Sequence, residues 1–388
     1  MCSLTKKGRT YRPGYPSGGG RPGWDIVWAG DSGCSVVADL SVQHFSSRRN
    51  RYVSETARLL VRGIAMTIFA SLLDPRILLF SLALLTAPMA TWAISPTDET
   101  RELAKSIPLA DLHMHVYGFG GSTPPIFLRY MEQQNVRWGG GVGNYQTELQ
   151  EKLGPRYIAA IGNEAWYDVF KRRGGSGLSI LDQSAFNELF RTAEQLFKEG
   201  KLKGFGEIHV KNKQKFDPSF ERSIPLDSPV INKMYELANQ YGGFVQIHSM
   251  GGIFGGYDEI SVMAERYPKA LTILSHCLPA TPPHLLGKLF DKHPNVVCEV
   301  SAQGVVHLPP PIGGRIFTRD GLRPEWAEVI ERHPTRFLIG TDPCCGLDRR
   351  YGEMVEEIRR DFLPYLTPAT LRRVAYENAV ERFNLPNL

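Results

Sequence analysis

Leu109-Ala110-Asp111-Leu112-His113-Met114-His115 is the stretch that decides the fold. It reads as a short apolar strand over 108–113 that carries polar residues on an alternating pattern. Side chains at i and i+2 of a strand share one face, so Asp111, His113 and His115 are expected to point together. A buried face bearing two imidazoles and a carboxylate needs a cavity that can use them. The rest of the chain supplies one. From about residue 107 onward, short apolar runs alternate with longer amphipathic stretches, the pattern of repeated βα units. The expected strands are 108–113, 136–142, 157–161, 204–208, 244–248, 271–276, 296–300 and 337–341. The glycine-rich 139–143 reads equally well as a loop.

Between these runs lie helices at 184–199, 228–241, 257–267, 283–292, 324–333, 353–363 and 368–383. The 228–241 helix opens on Ser228-Pro229 and stops at Gly242-Gly243, as helix-end chemistry requires. Eight strands each followed by helix fit one α/β domain, a (β/α)8 TIM barrel of about 280 residues. No internal repeat or second domain is read.

In such a barrel the chemistry collects where strands end and βα loops begin. His248, His276 and Asp342 fall at the ends of the fifth, sixth and eighth expected strands, and His113 and His115 at the end of the first. Alone, a strand-end histidine is more often a satisfied polar residue than a ligand. Four of them followed by an aspartate, on strands one, five, six and eight, make a metal centre the better reading. Imidazoles with one carboxylate suit zinc and similar borderline cations.

These residues resemble the amidohydrolase superfamily. Ala110-Asp111-Leu112-His113-Met114-His115 is similar to its first-strand motif. Phe337-Leu338-Ile339-Gly340-Thr341-Asp342-Pro343 is similar to the eighth-strand motif of the amidohydrolase-related branch, and Tyr376-Glu377-Asn378-Ala379-Val380-Glu381-Arg382-Phe383 to its last helix. The resemblance spans about 107–388. It implies one or two divalent ions, zinc first and manganese or iron as alternatives, held by His113, His115, His248, His276 and Asp342. It also implies a bridging group on strand four. Glu207 is the candidate there, either as ligand or as a residue orienting a histidine; Lys203 lies too deep.

The mechanism implied is hydrolysis of a C–N or C–O bond by metal-activated water. Asp342 would move the proton, and His276, if not a ligand, would polarise the carbonyl. Decarboxylation or hydration of small acids on the same site, and a TatD-like nuclease suggested by Gly206-Glu207-Ile208, are the alternatives. His209, just past its expected strand, Trp166 and His307 are candidate substrate-facing residues. Tyr117, Phe119, Tyr167, Phe254, Tyr257, Arg315 and Arg349 are further candidates for the mouth.

The net charge of +5 is carried by the N-terminal region: residues 1–93 hold 11 basic and 5 acidic groups of the chain's 45 and 40. The remaining 34 basic and 35 acidic groups leave the barrel region at −1. That balance argues against a nucleic-acid partner and for a small-molecule substrate. Residues 1–65 read as a disordered basic extension, with Met66 as an alternative start. The uncharged run 77–93, preceded by Arg76 and followed by polar residues, has the parts of a secretory signal, or of an uncleaved membrane anchor. The expected location is therefore exported, periplasmic or extracellular. Six irregularly spaced cysteines do not form a disulfide framework. Cys277, Cys298, Cys344 and Cys345 are expected as buried thiols, with a disulfide near the mouth or a thiolate near metal as alternatives.

Overall fold

The computed structural model describes residues 95–116, 122–212, 222–251, 256–307, 315–344 and 346–388. The expectations for 1–93, and for Tyr117, Phe119, Phe254 and Cys345, lie outside the described residues.

Eight parallel strands close on themselves: β1 Leu109–Val116, β2 Val136–Gly143, β3 in two pieces at Tyr157–Ile158 and Ala160–Gly162, β4 Gly204–Asn212, β5 Phe244–Ser249, β6 Leu271–Leu274, β7 Val296–Val300 and β8 Phe337–Ile339. The first piece of β3 pairs with β2 and the second with β4, so the broken third strand completes the ring. β8 pairs with β1 and with β7, which leaves the barrel no free edge. The chain is a (β/α)8 barrel.

The glycine run that reads as a loop is strand. Gly140 and Gly141 sit at φ +141° and +85°, and a Cβ at either would run into the carbonyl of Ile158 or of Leu112. β2 lies between β1 and β3 because these residues lack side chains.

Two apolar layers follow from strand alternation. Ala110, Leu112, Trp138, Ile158, Ala160, Phe244, Ile273, Val297 and Leu338 fill the barrel interior together with Phe383 and Leu385. Leu109, Met114, Phe205, Ile208, Val245, Ile247, Leu274, Cys298 and Ile339 face outward into the helices. The C-terminal segment plugs the bottom: Trp138 stacks on Tyr376 at 5.4 Å and donates to the Pro386 carbonyl. Asn378 donates to the carbonyls of Pro334 and Phe337, pinning the last helix to the start of β8. Lys203 reaches this closed end, donating to the Phe383 carbonyl.

The helices Pro283–Lys292 and Ser184–Lys198 match their expected spans, the latter ending one residue early. Ser228 precedes the Pro229–Tyr241 helix without a side-chain capping bond. Helices Asp98–Ser106, Pro124–Gln133, Thr147–Leu153 and Asn163–Gly177 were not expected. The first is held by a reciprocal cap between Thr97 and Thr100, with Asp98 and Glu99 in its first turn.

The cysteine expectation needs correction. Cys277 and Cys298 form a disulfide across 21 residues. Both are buried in the outer layer, so the bridge ties the turn that follows β6 to β7 on the helix side.

Candidate metal centre

At the strand ends the alternation breaks, and the break assembles the site. β1 slips register against β2 between Asp111 and Met114. Below the slip, Ala110 and Leu112 face the interior and Asp111 faces out; above it, His113 and His115 face in and Met114 faces out. Asp111 therefore does not point with the histidines, contrary to the simple period-two reading. Its carboxylate accepts from the backbone N–H of His113 and Thr341, from Thr341 Oγ1 at 2.6 Å and from Tyr351 Oη at 3.0 Å. It ties β1 to β8, and burial pushes its pKa up to about 6 against those donors.

β4 repeats the device. Its register against β5 slips between Phe205 and Ile208, so Glu207 and His209 both face the interior, and the strand runs on to Asn212. His209 is thus within the strand and not beyond its end. Glu207 accepts from His209 Nε2 at 2.8 Å and His248 Nδ1 at 2.9 Å, with His276 Nε2 at 3.4 Å. His209 and His248 stack at 4.2 Å.

His276 and Asp342 lie just past β6 and β8, where both strands end sooner than expected. Each sits at positive φ, +56° and +60°, a backbone conformation that non-glycine residues keep only when the surroundings enforce it. The Asp342 N–H donates to the His113 carbonyl, and the His276 N–H to Glu299. These bonds turn both side chains back over the barrel mouth. Asp342 Oδ1 lies 3.2 Å from His115 Nε2 and 3.5 Å from His113 Nε2.

Sequence reasoning missed Glu299. It is fully buried and collects three donors on one oxygen: His113 Nδ1 at 2.8 Å, the His276 N–H at 3.0 Å and Ser301 Oγ at 3.0 Å. With Nδ1 donating to Glu299, the His113 Nε2 lone pair faces the centre. Inward alternation on β7, shared by Val297, was the available signal.

The site fits a divalent cation. His113 Nε2, both ring nitrogens of His115, His209 Nδ1 and Asp342 Oδ1 are buried without hydrogen-bond partners. Buried polar atoms rarely go unpaired without a ligand. Four groups place one donor atom per residue within 4.8 Å of each other: His113/His115/Glu207, His113/His276/Asp342, His115/Asp342/Cys344 and Glu207/His209/His248. Electrostatics agree. Burial alone would neutralise His113, yet Glu299, Asp342 and Glu207 pull its pKa up to about 10. Glu207 and Asp342 are held well below the ordinary carboxylate range by the surrounding histidines, in spite of burial. The pocket demands positive charge.

A family model described as Amidohydrolase matches residues 163–385, more than half of the chain. The chain belongs to the amidohydrolase family. No curated protein matches this amidohydrolase in sequence. Among solved structures it is similar to an amidohydrolase from Burkholderia multivorans with bound HEPES, at 15% identity over 72% of this chain and 100% of that one, with a TM-score of 0.42. It is also similar to a 2,6-dihydroxybenzoate decarboxylase from Rhizobium (10%, 71% and 98%, 0.42). A TIM-barrel protein from Bordetella bronchiseptica is a third (12%, 72% and 100%, 0.42). No residue role transfers at identities this low.

Other expected residues of this amidohydrolase fall elsewhere. Trp166 is fully buried against Phe186 and donates to the His209 carbonyl, so it braces β4 and does not face the mouth. Its indole occupies the layer between barrel and helix because the Asn163–Gly177 helix packs there. His307 Nε2 lies 3.0 Å from the Asp342 carbonyl, at the rim. Arg315 is spent on the carbonyls of Gly304 and His307. Tyr257 donates to the Leu285 carbonyl. Tyr167 meets His209 edge-on at 5.7 Å.

Proposed function

We propose that this amidohydrolase cleaves a C–N or C–O bond in a small molecule, an amide, cyclic amide, ester or lactone, with metal-activated water. The observation that carries the reading is Asp342 Oδ1. It is a buried carboxylate oxygen with no hydrogen bond, set among His113, His115 and His276 at the strand-end mouth. Such an oxygen is placed to accept a proton and to hand it on.

His113, His115, His209, His248, His276, Glu207 and Asp342 would hold one or two divalent ions, zinc first. Glu207 belongs to two of the donor groups, which supports a pair of ions sharing it. A divalent ion there supplies Lewis acidity, lowering the pKa of water towards about 7 and polarising a carbonyl. The chain's own residues do the rest. Asp342 takes the proton of the attacking water and delivers it to the leaving nitrogen or oxygen. Glu299 fixes the tautomer of His113, and Ser301 Oγ, 2.7 Å from Nδ1, orients His276. His307 steadies the Asp342 backbone from the rim.

Export of the enzyme is part of the proposal. The Cys277–Cys298 bridge supports it, because disulfides persist in oxidising compartments. The balance of 34 basic and 35 acidic groups outside 1–93 supports a small-molecule substrate over a nucleic acid.

Asp342→Asn tests the central role. The zinc-loaded variant, assayed against a panel of lactones, aryl esters and cyclic amides, should lose turnover about 100-fold or more while metal content is largely kept. Retained hydrolysis would remove Asp342 from the proton path. Carbon dioxide release from aromatic acids, with no ester, lactone or amide cleaved, would assign the site to decarboxylation.

A further inference from the structure

Among the described residues Arg222 is the one buried arginine whose guanidinium nitrogens all lack a hydrogen-bond partner. The residue is 3% exposed, and its Nε and both Nη atoms are buried with no hydrogen-bond partner. Two rings of the Asn163–Gly177 helix receive it instead. The guanidinium carbon lies 4.0 Å from the Phe170 ring centre and 4.7 Å from that of Tyr167. Aromatic faces attract the positive charge but accept none of its N–H hydrogen bonds. A buried charge left in this state is costly to the fold, and it persists where a ligand completes it.

The position of Arg222 says which ligand. It pairs with Asn212 in a short antiparallel bridge at the end of β4, on the mouth side of Glu207 and His209. Tyr167, whose ring lies against the guanidinium, also meets the His209 ring at 5.7 Å. Guanidinium and metal-centre imidazole are therefore no further apart than those two contacts laid end to end. Among the described residues no acidic side chain lies within ion-pair reach of it.

We propose that Arg222 is the anchor for a carboxylate on the substrate. The substrate class is then a small carboxylic acid whose scissile bond sits at the metal centre, one ring or a few bonds from the carboxylate. A planar guanidinium with its N–H groups unspent matches the two oxygens of a carboxylate. The proposal rests on the metal-centre reading for what the anchored molecule is oriented towards, but not for the binding itself.

The test therefore separates the two. Metal-free and zinc-loaded protein are titrated calorimetrically with benzoate, phenylacetate and succinate, with benzamide as the neutral control. Metal content and thermal melting are followed in parallel. The expected result is that at least one acid binds in both metal states and benzamide does not. Arg222→Met should weaken that binding about 10-fold or more, with Arg222→Lys intermediate, and leave metal content unchanged. It should melt no lower than the wild type, since it removes an unpaired buried charge. Any of several results would overturn the proposal. These are an acid affinity indifferent to Arg222→Met, acids held only by the loaded metal, no binding by any of the three acids, or loss of binding together with cooperative melting. If the protein binds no zinc yet shows Arg222-dependent acid binding, the metal centre falls and the anchor stands.

Discussion

Glu299→Gln isolates what the unexpected carboxylate does. One oxygen of Glu299 already accepts all three of its hydrogen bonds, from His113 Nδ1, the His276 N–H and Ser301 Oγ, while the other is buried without a partner. A glutamine can keep its carbonyl where the three donors converge and put its amide where the idle oxygen was. Geometry is then preserved and charge is lost. A hydrogen bond to a charged group is worth about 1.5–3 kcal/mol and a neutral one about 0.5–1.5 kcal/mol, so the bond to His113 weakens by roughly 1 kcal/mol. His113 also becomes a less basic ligand. Removing such an outer partner costs about 10–100-fold in metal affinity, or roughly 1.4–2.8 kcal/mol. Competition against a chromogenic zinc chelator at fixed pH measures this directly. Glu299→Ala should lose more, because it strands the three donors in a dry interior. Zinc affinity equal to wild type in Glu299→Gln would refute the reasoning and leave Glu299 a packing residue.

Two further predictions concern stability. Asp111→Ala leaves buried N–H groups of His113 and Thr341 and the hydroxyls of Thr341 and Tyr351 without their acceptor. Urea unfolding of metal-free protein should show a loss of about 3 kcal/mol or more, with Asp111→Asn in between; a loss below about 1 kcal/mol would mean that β1 and β8 are held by something else. Reduction, or Cys277→Ala with Cys298→Ala, removes a crosslink spanning 21 residues and should destabilise the barrel by about 3 kcal/mol. Identical melting with and without a reductant would show that the bridge contributes nothing.

Much of the barrel was legible because its strands are apolar runs of the right length in the right number, closed by a helix whose Asn378 grips the start of β8. Four histidines and Asp342 were legible because they stand at strand ends, where this architecture gathers its chemistry. What escaped was set by local departures from alternation. The slip in β1 turns His113 and His115 inward while Asp111 faces out, the slip in β4 sets His209 beside Glu207 within the strand, and no period-two count can place a slip. The four unexpected helices escaped as well, because their burial depends on what the barrel presents to them. Trp166 illustrates this: in sequence it could be a mouth aromatic, and only the packed helix shows it lodged behind His209. Glu299 was passed over because a lone acid between Cys298 and Val300 reads as an exposed strand position until the opposite face is known to be sealed. Cys277 and Cys298 pair because β6 and β7 are neighbours and the turn after β6 brings Cys277 to Cys298, a contact that spacing alone does not reveal.

The central claim is that the orphaned donors around Glu207 and Asp342 hold metal. Elemental analysis of the purified protein, beside a His113→Ala/His115→Ala control of the same fold, tests it most directly. One or two equivalents of zinc, manganese or iron per chain, lost in the control and regained by the wild type after chelation, are expected. No bound metal, and none taken up on titration, would contradict the account and leave the hydrolytic proposal without its reagent.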